Sequence, residues 1–225
     1  MPRFENHDVT IPFAQGTLRG ILTSPATPTG VVTFAHGSGS GRLSTRNGYV
    51  ASVLNDAGLA TLLVDLLTAD EERVDVATAH LRFDIDFLTE RLRIAVAWLR
   101  GKEGTVDLSL GLFGASTGAA AALQLAAWKV DEVDAVVSRG GRPDLALEWL
   151  PKVHAPTLLI VGGLDTTVIP LNQQARDALP GTRELVIVPG ASHLFHERGA
   201  LEQVADLAAA WFARHLAVTS DRERG

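Results

Sequence analysis

The sequence contains no cysteine and no apolar stretch long enough to cross a membrane, which needs about 18 residues. The missing cysteine excludes disulfides, thiolate metal ligands and a cysteine nucleophile. The segment Met1–Phe13 lacks the basic and then apolar pattern of a secretory signal, so we expect a cytoplasmic protein without a membrane partner. Basic residues are scattered and the formal net charge is −6, so we also expect no nucleic-acid partner.

The chain is long enough to bury one large core. It has 225 residues, of which 46% are apolar and 20% charged, as in ordinary globular proteins. It shows no internal repeat, and its Pro/Gly/Thr stretch, Ser24–Gly30, is short enough to be a turn. We therefore expect a single domain over residues 1–225.

Short apolar runs alternate with segments of helical period along most of the chain, which indicates an α/β fold. The helical segments are typified by Ile85–Leu99, where apolar residues recur at three- and four-residue steps. Such alternation predicts a mostly parallel central sheet with helices on both faces, joined on one side by an antiparallel strand around Thr17–Leu22. The runs that we interpret as buried parallel strands are Val31–Ala35, Leu59–Val64, Leu108–Phe113, Ala135–Val137, Thr157–Val161 and Leu185–Val188.

A Gly-x-Ser-x-Gly motif follows the third of these strands and opens an alanine-rich helix. The motif is Gly114-Ala115-Ser116-Thr117-Gly118, and the helix continues to Trp128. A serine on so tight a turn needs small flanking residues because strand and helix approach closely. Ligands of such sheets bind beyond the carboxyl ends of the strands, so Ser116 is a candidate nucleophile.

An aspartate and a histidine follow the next two strand ends. Asp165 comes after Thr157–Val161, and His193 comes after Leu185–Val188. A serine nucleophile needs a histidine to take its proton and a carboxylate to orient that histidine. Taken singly, Asp165 could be a turn or helix-capping residue and His193 an exposed loop residue, but together with Ser116 they form a candidate catalytic triad.

A glycine-rich loop, His36–Gly41, follows the first parallel strand. A loop at this place can supply one backbone N–H to an oxyanion hole, and the residue after the nucleophile supplies the other, which predicts Ser38 and Thr117. We assign Gly37 and Gly39 to the substrate-binding surface. The alternative is a phosphate-binding loop, but the loop lacks the Lys-Ser/Thr ending of a P-loop and the spacing of a dinucleotide fingerprint.

The histidines do not indicate a metal site. We expect His36 to bond the backbone of the glycine-rich loop. His193 and His196 are only three residues apart, but no third ligand accompanies them. We therefore expect no metal and no cofactor.

Arg139 follows the strand Ala135–Val137, so we expect it on the ligand side of the sheet. It is a candidate clamp for a substrate carboxylate or phosphate. The alternative is a salt bridge to an acid such as Asp84 or Asp144. Arg42 and Arg46, after the glycine-rich loop, have the same two interpretations or are solvated surface charges.

These motifs resemble the α/β-hydrolase superfamily, and within it the dienelactone-hydrolase-like branch of small enzymes, over nearly the whole chain. The resemblance implies Ser116 as nucleophile, His193 as general base and Asp165 as its orienting acid. Dienelactone hydrolase itself uses a cysteine where this chain has Ser116. The matching segments, which also resemble bacterial hydrolases that occur fused to phosphoribosyltransferase-like domains, include HGSGSGRLSTRN, ATLLVDLLTADEE, LRFDIDFL, GASTGAAAAL, SRGGRPDLA, PTLLIVGGLD and PGASHLF.

The expected function is a serine hydrolase that cleaves small carboxylic esters through an acyl-enzyme. The segment between Val137 and Pro156, where many lipases carry a lid, is short, so we expect no large lid. The same triad could serve an acyltransferase, thioesterase or lactonase, and the same fold could serve a non-catalytic binding module. The sequence leaves open the natural substrate and whether the protein is a monomer or a dimer.

Overall fold

Eight strands form one sheet in the computed structural model, which describes residues 3–216. Their order across the sheet is β1-β2-β4-β3-β5-β6-β7-β8, and β2 pairs in antiparallel fashion with both β1 and β4, while the remaining pairs are parallel. The strands are β1 (Phe4–Phe13), β2 (Gly16–Pro25), β3 (Val31–Ala35), β4 (Ala60–Val64), β5 (Leu110–Ala115), β6 (Ala135–Arg139), β7 (Thr157–Gly162) and β8 (Arg183–Val188).

Helices cover both faces of the sheet. One core contains α3, α4 and α5 side chains, and the other contains side chains of α1 and α6. The α-helices of the described residues are α1 (Thr45–Asp56), α2 (Ala69–Thr78), α3 (Ile85–Arg100), α4 (Thr117–Trp128), α5 (Ile169–Ala178) and α6 (Ala200–His215). The alternation of strands and helices correctly predicted a mostly parallel sheet covered on both faces, and the architecture is the α/β-hydrolase fold that the resemblance implies.

The central strands are buried along their whole length. Every residue of β3, β4, β5, β6 and β7 is buried, which explains why the sequence shows continuous apolar runs there instead of alternation. Helix α4 packs at the centre, and its small alanine side chains allow it to approach the sheet closely. The six predicted parallel strands and the antiparallel N-terminal strand are confirmed as strands, with ends shifted by a few residues. The expectation that the last of them is buried is wrong, since β8 forms an edge of the sheet and only its Val188 is buried.

Two elements were not predicted because neither buries a regular apolar face. Strand β1 forms an edge of the sheet and is mostly exposed. In helix α2 only Asp75 is buried, while Val74 and Val76 point to solvent. The sequence does contain a start signal for α2, since Thr68 and Glu71 form a reciprocal capping box.

The connection between β6 and β7 holds only two short 3₁₀ turns, Pro143–Ala146 and Leu150–Lys152, so no large lid covers the carboxyl edge there. Among the described residues, none of the helices combines the length and apolarity that crossing a membrane requires.

Candidate active site

Ser116 occupies a strained turn between β5 and α4. Its φ of 51° and ψ of −120° lie in a region that non-glycine residues rarely adopt. A Cβ at Gly114 would overlap the backbone of Ala119, and one at Gly118 would overlap carbonyl oxygens of the loop after β3. The two glycines of the motif are therefore required by close backbone contacts on either side of the serine.

Two backbone segments lie beside Ser116 and could supply N–H groups to a negatively charged oxygen. Thr117 is the first residue of α4, so its N–H has no acceptor within the helix and points towards the strand ends. The glycine-rich loop passes beside the serine, since a Cβ on Gly37 would lie 3.0 Å from the Ser116 Cβ. Ser38 lies in the turn that is closed by the bond from the Ser40 N–H to the Gly37 carbonyl (3.2 Å).

The structure pairs His193 with Asp165. The His193 Nδ1 lies 2.5 Å from the Asp165 Oδ2. The carboxylate is 11% exposed and the imidazole 39%, so the acid is shielded while the histidine remains accessible. Because a carboxylate accepts a hydrogen bond from Nδ1–H, the other ring nitrogen, Nε2, is left free to accept a proton.

Backbone contacts fix the loops that carry this pair. The Leu164 N–H donates to the Ala191 carbonyl (2.9 Å), and Gly162 lies so close to that loop that a Cβ would overlap it. The Ser192 N–H donates to the Glu197 carboxylate (3.0 Å), a bond that lowers the pKa of Glu197. Phe195 is buried with a positive φ of 54°. These contacts hold His193 in one position relative to Asp165.

The segment after β6 connects the serine to the histidine. The Ser116 N–H donates to the Arg139 carbonyl (3.2 Å), and the Arg142 N–H donates to the Ser116 carbonyl (3.1 Å). A Cβ on Gly140 would lie 3.4 Å from the His193 Nδ1. Ser116 and His193 therefore flank the same short stretch of backbone, and the predicted triad residues are brought to one edge of the sheet.

A cleft of about 240 Å³ begins at Thr117, next to the serine. It is lined by Gly37, Ser38 and Gly39 from the glycine-rich loop, and it extends past Leu88 to α2. Four of the residues assigned to the oxyanion hole or the substrate surface thus lie on one cavity. Its volume lies just below the usual range for small-molecule sites, roughly 300–1,000 Å³.

A model of the dienelactone hydrolase family matches residues 18–218. The chain belongs to this family. A dienelactone hydrolase from Anabaena variabilis is 54% identical and superimposes with a TM-score of 0.93, covering 95% of this chain and 99% of its own. Est1E from Butyrivibrio proteoclasticus, at 16% identity and a TM-score of 0.79, covers 93% of this chain and 99% of its own, and shares the fold.

Two curated proteins from strains of Mycobacterium tuberculosis are also similar to this family member. Each is named, only provisionally, as a phosphoribosyl transferase and is 54% identical over 215 residues, or 96% of this chain. Those 215 residues are 48% of the relatives' length. The chain thus spans about half of the curated relatives that it matches, and their name is not transferred to it.

His36 bonds the backbone as expected from the sequence. Its Nδ1 lies 3.0 Å from the Gly37 carbonyl, and its Nε2 accepts a hydrogen bond from the Leu66 N–H (2.9 Å). Burial lowers the pKa of His36, so the ring is neutral and joins the loops after β3 and β4. In this family member, His36 holds the glycine-rich loop beside Ser116.

The alternative interpretation of Arg139, a salt bridge to Asp84 or Asp144, is wrong. Asp84 caps helix α3 by accepting from the Phe87 N–H (3.0 Å), and Asp144 pairs with Arg142 (2.7 Å). Each acid is used by a partner two or three residues from it in the sequence, Phe87 for Asp84 and Arg142 for Asp144. Arg139 is buried, and its Nη2 lies at the limit of hydrogen-bond distance from Asn47 Oδ1 (3.5 Å).

The other candidate arginines separate into two kinds. Arg42 forms an ion pair with Asp65 (2.5 Å), which also accepts from the Arg42 backbone N–H (2.6 Å), so Arg42 anchors the glycine-rich loop to β4. Arg46 lies in the first turn of α1, and its Nε is buried without a hydrogen-bond partner among the described residues. The sequence did not distinguish the two, because pairing with Asp65 depends on the order of the strands.

Proposed function

We propose that this protein is a serine hydrolase that cleaves small carboxylic esters through an acyl-enzyme. The observation that carries the proposal is the strained Ser116 on a tight turn, flanked by backbone that also contacts a His193–Asp165 pair. Strain of this kind, of about 1–3 kcal/mol, is retained where function requires it. Membership of the dienelactone hydrolase family supports a hydrolase.

In the acylation step, the Ser116 Oγ attacks the ester carbonyl carbon while His193 Nε2 takes the serine proton. The Asp165 carboxylate stabilises the resulting imidazolium through the Nδ1 bond. The tetrahedral intermediate then expels the alcohol, which receives the proton from His193. Water, deprotonated by His193, attacks the acyl-enzyme, and the acid leaves as Ser116 regains its proton.

The oxyanion of each tetrahedral intermediate would be bound by the N–H groups of Thr117 and Ser38. Thr117 contributes the N-terminal end of α4, where backbone N–H groups and the helix dipole favour negative charge. Ser38 contributes an N–H from a loop that His36 and Arg42 hold in place. Because these donors are fixed before substrate binds, they need no reorganisation during the reaction.

The small cleft supports small esters as substrates, and a lactone is a second candidate. A lactone is an intramolecular ester and needs the same nucleophile, base and oxyanion donors. The relative at 54% identity is named a dienelactone hydrolase, which favours this candidate. Ser116 replaces the cysteine nucleophile of dienelactone hydrolase, so hydrolysis of simple esters remains our first proposal.

The test is covalent labelling combined with turnover. Wild type, Ser116→Ala and the control Ser52→Ala, which alters an exposed serine on α1, would be treated with a fluorophosphonate and weighed as intact proteins. We expect one adduct on wild type and Ser52→Ala and none on Ser116→Ala. A series of para-nitrophenyl esters should be hydrolysed by the two proteins that accept the label, with short acyl chains preferred.

Two outcomes would contradict the proposal. Labelling of Ser116→Ala to the same extent as wild type would assign the nucleophile elsewhere. A wild type that neither accepts the label nor hydrolyses any ester or lactone would favour a binding module with the same fold.

A further inference from the structure

Arg139 carries a positive charge that the protein leaves uncompensated. Its side chain is only 7% exposed, and its Nε and Nη1 atoms are buried without a hydrogen-bond partner in the described part of the chain. The one bond that it makes, to Asn47 Oδ1, is long at 3.5 Å. Burying a guanidinium without a counter-charge is costly, so this arrangement requires an explanation.

A second unpaired guanidinium lies close by. Arg46 precedes Asn47 in the first turn of α1, and its Nε is also buried without a partner in the described residues. Burial, and then the charge of Arg46, lower the pKa of Arg139 to about 10. Arg139 is therefore charged at neutral pH and is repelled by Arg46, and the first turn of α1 contains no acidic residue to offset this repulsion.

The other partly buried arginines of the molecule are treated differently. Arg42 pairs with Asp65, Arg82 with Asp75, Arg91 with Glu71 and Arg142 with Asp144. The fold therefore supplies carboxylates to these arginines, including one only three residues from Arg139, and it supplies backbone carbonyls to the partly buried Arg100. No described carboxylate lies within 4.0 Å of an Arg139 or Arg46 side-chain nitrogen, so the missing anion is not a component of the described chain.

Arg139 is also next to the nucleophile. It is the last residue of β6, and its carbonyl accepts from the Ser116 N–H (3.2 Å). The following residue, Gly140, lies against the His193 ring. Along β6, Val137 belongs to the core beneath α1 and α6, and Arg139 faces the same way because alternate residues share a face.

We propose that Arg139 and Arg46 form a subsite for an oxyanion group, a carboxylate or a phosphate, carried by the substrate. The subsite rests on the proposed function, since it selects among esters that Ser116 would cleave. Two guanidinium groups can give several charge-assisted hydrogen bonds to one oxyanion, which explains why the protein retains both without partners. Asn47 positions the pair by holding Arg139 towards α1.

The first test measures anion binding without catalysis. Ser116→Ala would be titrated calorimetrically with benzoate and with inorganic phosphate at constant ionic strength set by chloride. We expect one of the two ions to bind, and the one that binds identifies the group as a carboxylate or a phosphate. A second substitution in the Ser116→Ala protein, either Arg139→Met or Arg46→Met, should weaken anion binding by about 10- to 100-fold, as expected for the loss of hydrogen bonds to a charged group.

The second test compares matched substrates. Methyl para-acetoxybenzoate is neutral, para-acetoxybenzoate carries a carboxylate, and para-acetoxyphenyl phosphate carries a phosphate. In Arg139→Met and Arg46→Met, kcat/KM for the anionic ester should fall by about 10- to 100-fold while the neutral ester changes by less than about threefold. The control Arg93→Met removes an exposed arginine paired with Glu90 and should leave both values unchanged.

Stability provides a third readout, which separates substrate binding from a structural role. Without anion, Arg139→Met should unfold at the same temperature as wild type or higher, because the substitution removes a buried uncompensated charge. A large loss of stability would indicate a structural arginine and overturn the proposal. Arg46→Met alters a less buried residue and provides an independent measurement, and it should likewise not lower the unfolding temperature.

The subsite and the proposed function fail in distinguishable ways. If neither anion binds Ser116→Ala, or if Arg139→Met loses activity equally on neutral and anionic esters, the subsite is wrong. Retained fluorophosphonate labelling of Arg139→Met would show that the nucleophile is intact in that case. Anion binding by a wild type that accepts no label would instead support the subsite and contradict the hydrolase.

Discussion

The two sides of Ser116 differ in how their polar groups are satisfied. On one side, which we call the histidine side, lie residues 162–165 and 189–197, where Asp165 pairs with His193 and Glu197 accepts from the Ser192 N–H. On the other, the glycine-loop side, lie residues 36–47 together with Arg139. On the glycine-loop side, buried guanidinium nitrogens of Arg139 and Arg46 have no hydrogen-bond partner among the described residues.

The difference matches the task of each side in the proposed reaction. Proton transfer requires one fixed geometry, and internal hydrogen bonds on the histidine side provide it. Binding of negative charge requires donors that are held in place but unoccupied, because an internal partner would compete with the substrate. The glycine-loop side is accordingly held by His36 and Arg42, while its other positive groups are left free for a ligand.

The largest expected effect comes from breaking the histidine side at Asp165. Asp165→Asn keeps the shape but removes the charge that stabilises the imidazolium and selects the tautomer, so kcat/KM for a neutral ester should fall by about 10³- to 10⁴-fold. Asp177→Asn is the control, since Asp177 pairs with Arg176 on the surface. Steady-state kinetics on both variants, with circular dichroism to verify folding, provide the measurement. Activity within a few-fold of wild type would exclude the assigned role.

A smaller effect is expected where the glycine-loop side packs on the serine turn. A Cβ at Gly118 would overlap the carbonyl oxygens of Ala35 and His36, so Gly118→Ala should lower the free energy of unfolding by about 1–3 kcal/mol and impair all esters alike. Gly48→Ala is the matched control in α1, where nothing lies within 4 Å, and it should stabilise by about 0.5–1 kcal/mol. Urea titrations measure both. Equal stability of the two variants would show that the close approach is not a constraint.

The smallest effect concerns the protonation of His36. Because its pKa is lowered from the ordinary value of 6.5, the unfolded chain binds a proton more readily than the folded protein does. Stability should therefore be independent of this group above pH 6.5 and should decrease as the pH falls below it. His36→Gln should remove part of that decrease in thermal unfolding between pH 7 and about pH 5.

His215, whose pKa is also lowered by burial, gives a comparison, and His215→Gln should remove a smaller part because the residue is less buried. An unchanged pH dependence in His36→Gln would mean that folding does not lower the pKa of His36, so a protonated ring would be compatible with the native fold. That result would remove the acceptor for the Leu66 N–H and weaken our account of the glycine-loop side.

The sequence was sufficient to place the Asp165 and His193 pair of the histidine side, because each residue follows the end of a predicted strand, whereas the Glu197 contact and the positive φ of Phe195 on that side have no such signal. Parallel strands bring their carboxyl ends to one edge, so chain position alone placed Asp165 and His193 near Ser116. The glycines at 114 and 118 were also predictable from the sterics of the turn. The roles of these residues in catalysis stay predictions until labelling is done.

The glycine-loop side was less predictable, because its contacts join distant parts of the chain. Which arginine meets an acid depends on strand order, so Arg42 and Arg46 were indistinguishable and Arg139 was compared with the wrong acids. Strand β1 and helix α2 lack a buried face and so lack an apolar period.

Strand β8 is an edge of the sheet, and among its residues only Val188 is buried, whereas the strand that carries Ser116 lies in the middle and is buried throughout. Local opening of an edge strand requires less free energy than unfolding of the whole domain. His193, the proposed base, can therefore be displaced while Ser116 and most of the sheet stay native. Activity would then be lost at a lower denaturant concentration than the one at which the whole domain unfolds. The denaturant concentration that halves the activity would therefore give too low a value for the stability of the domain.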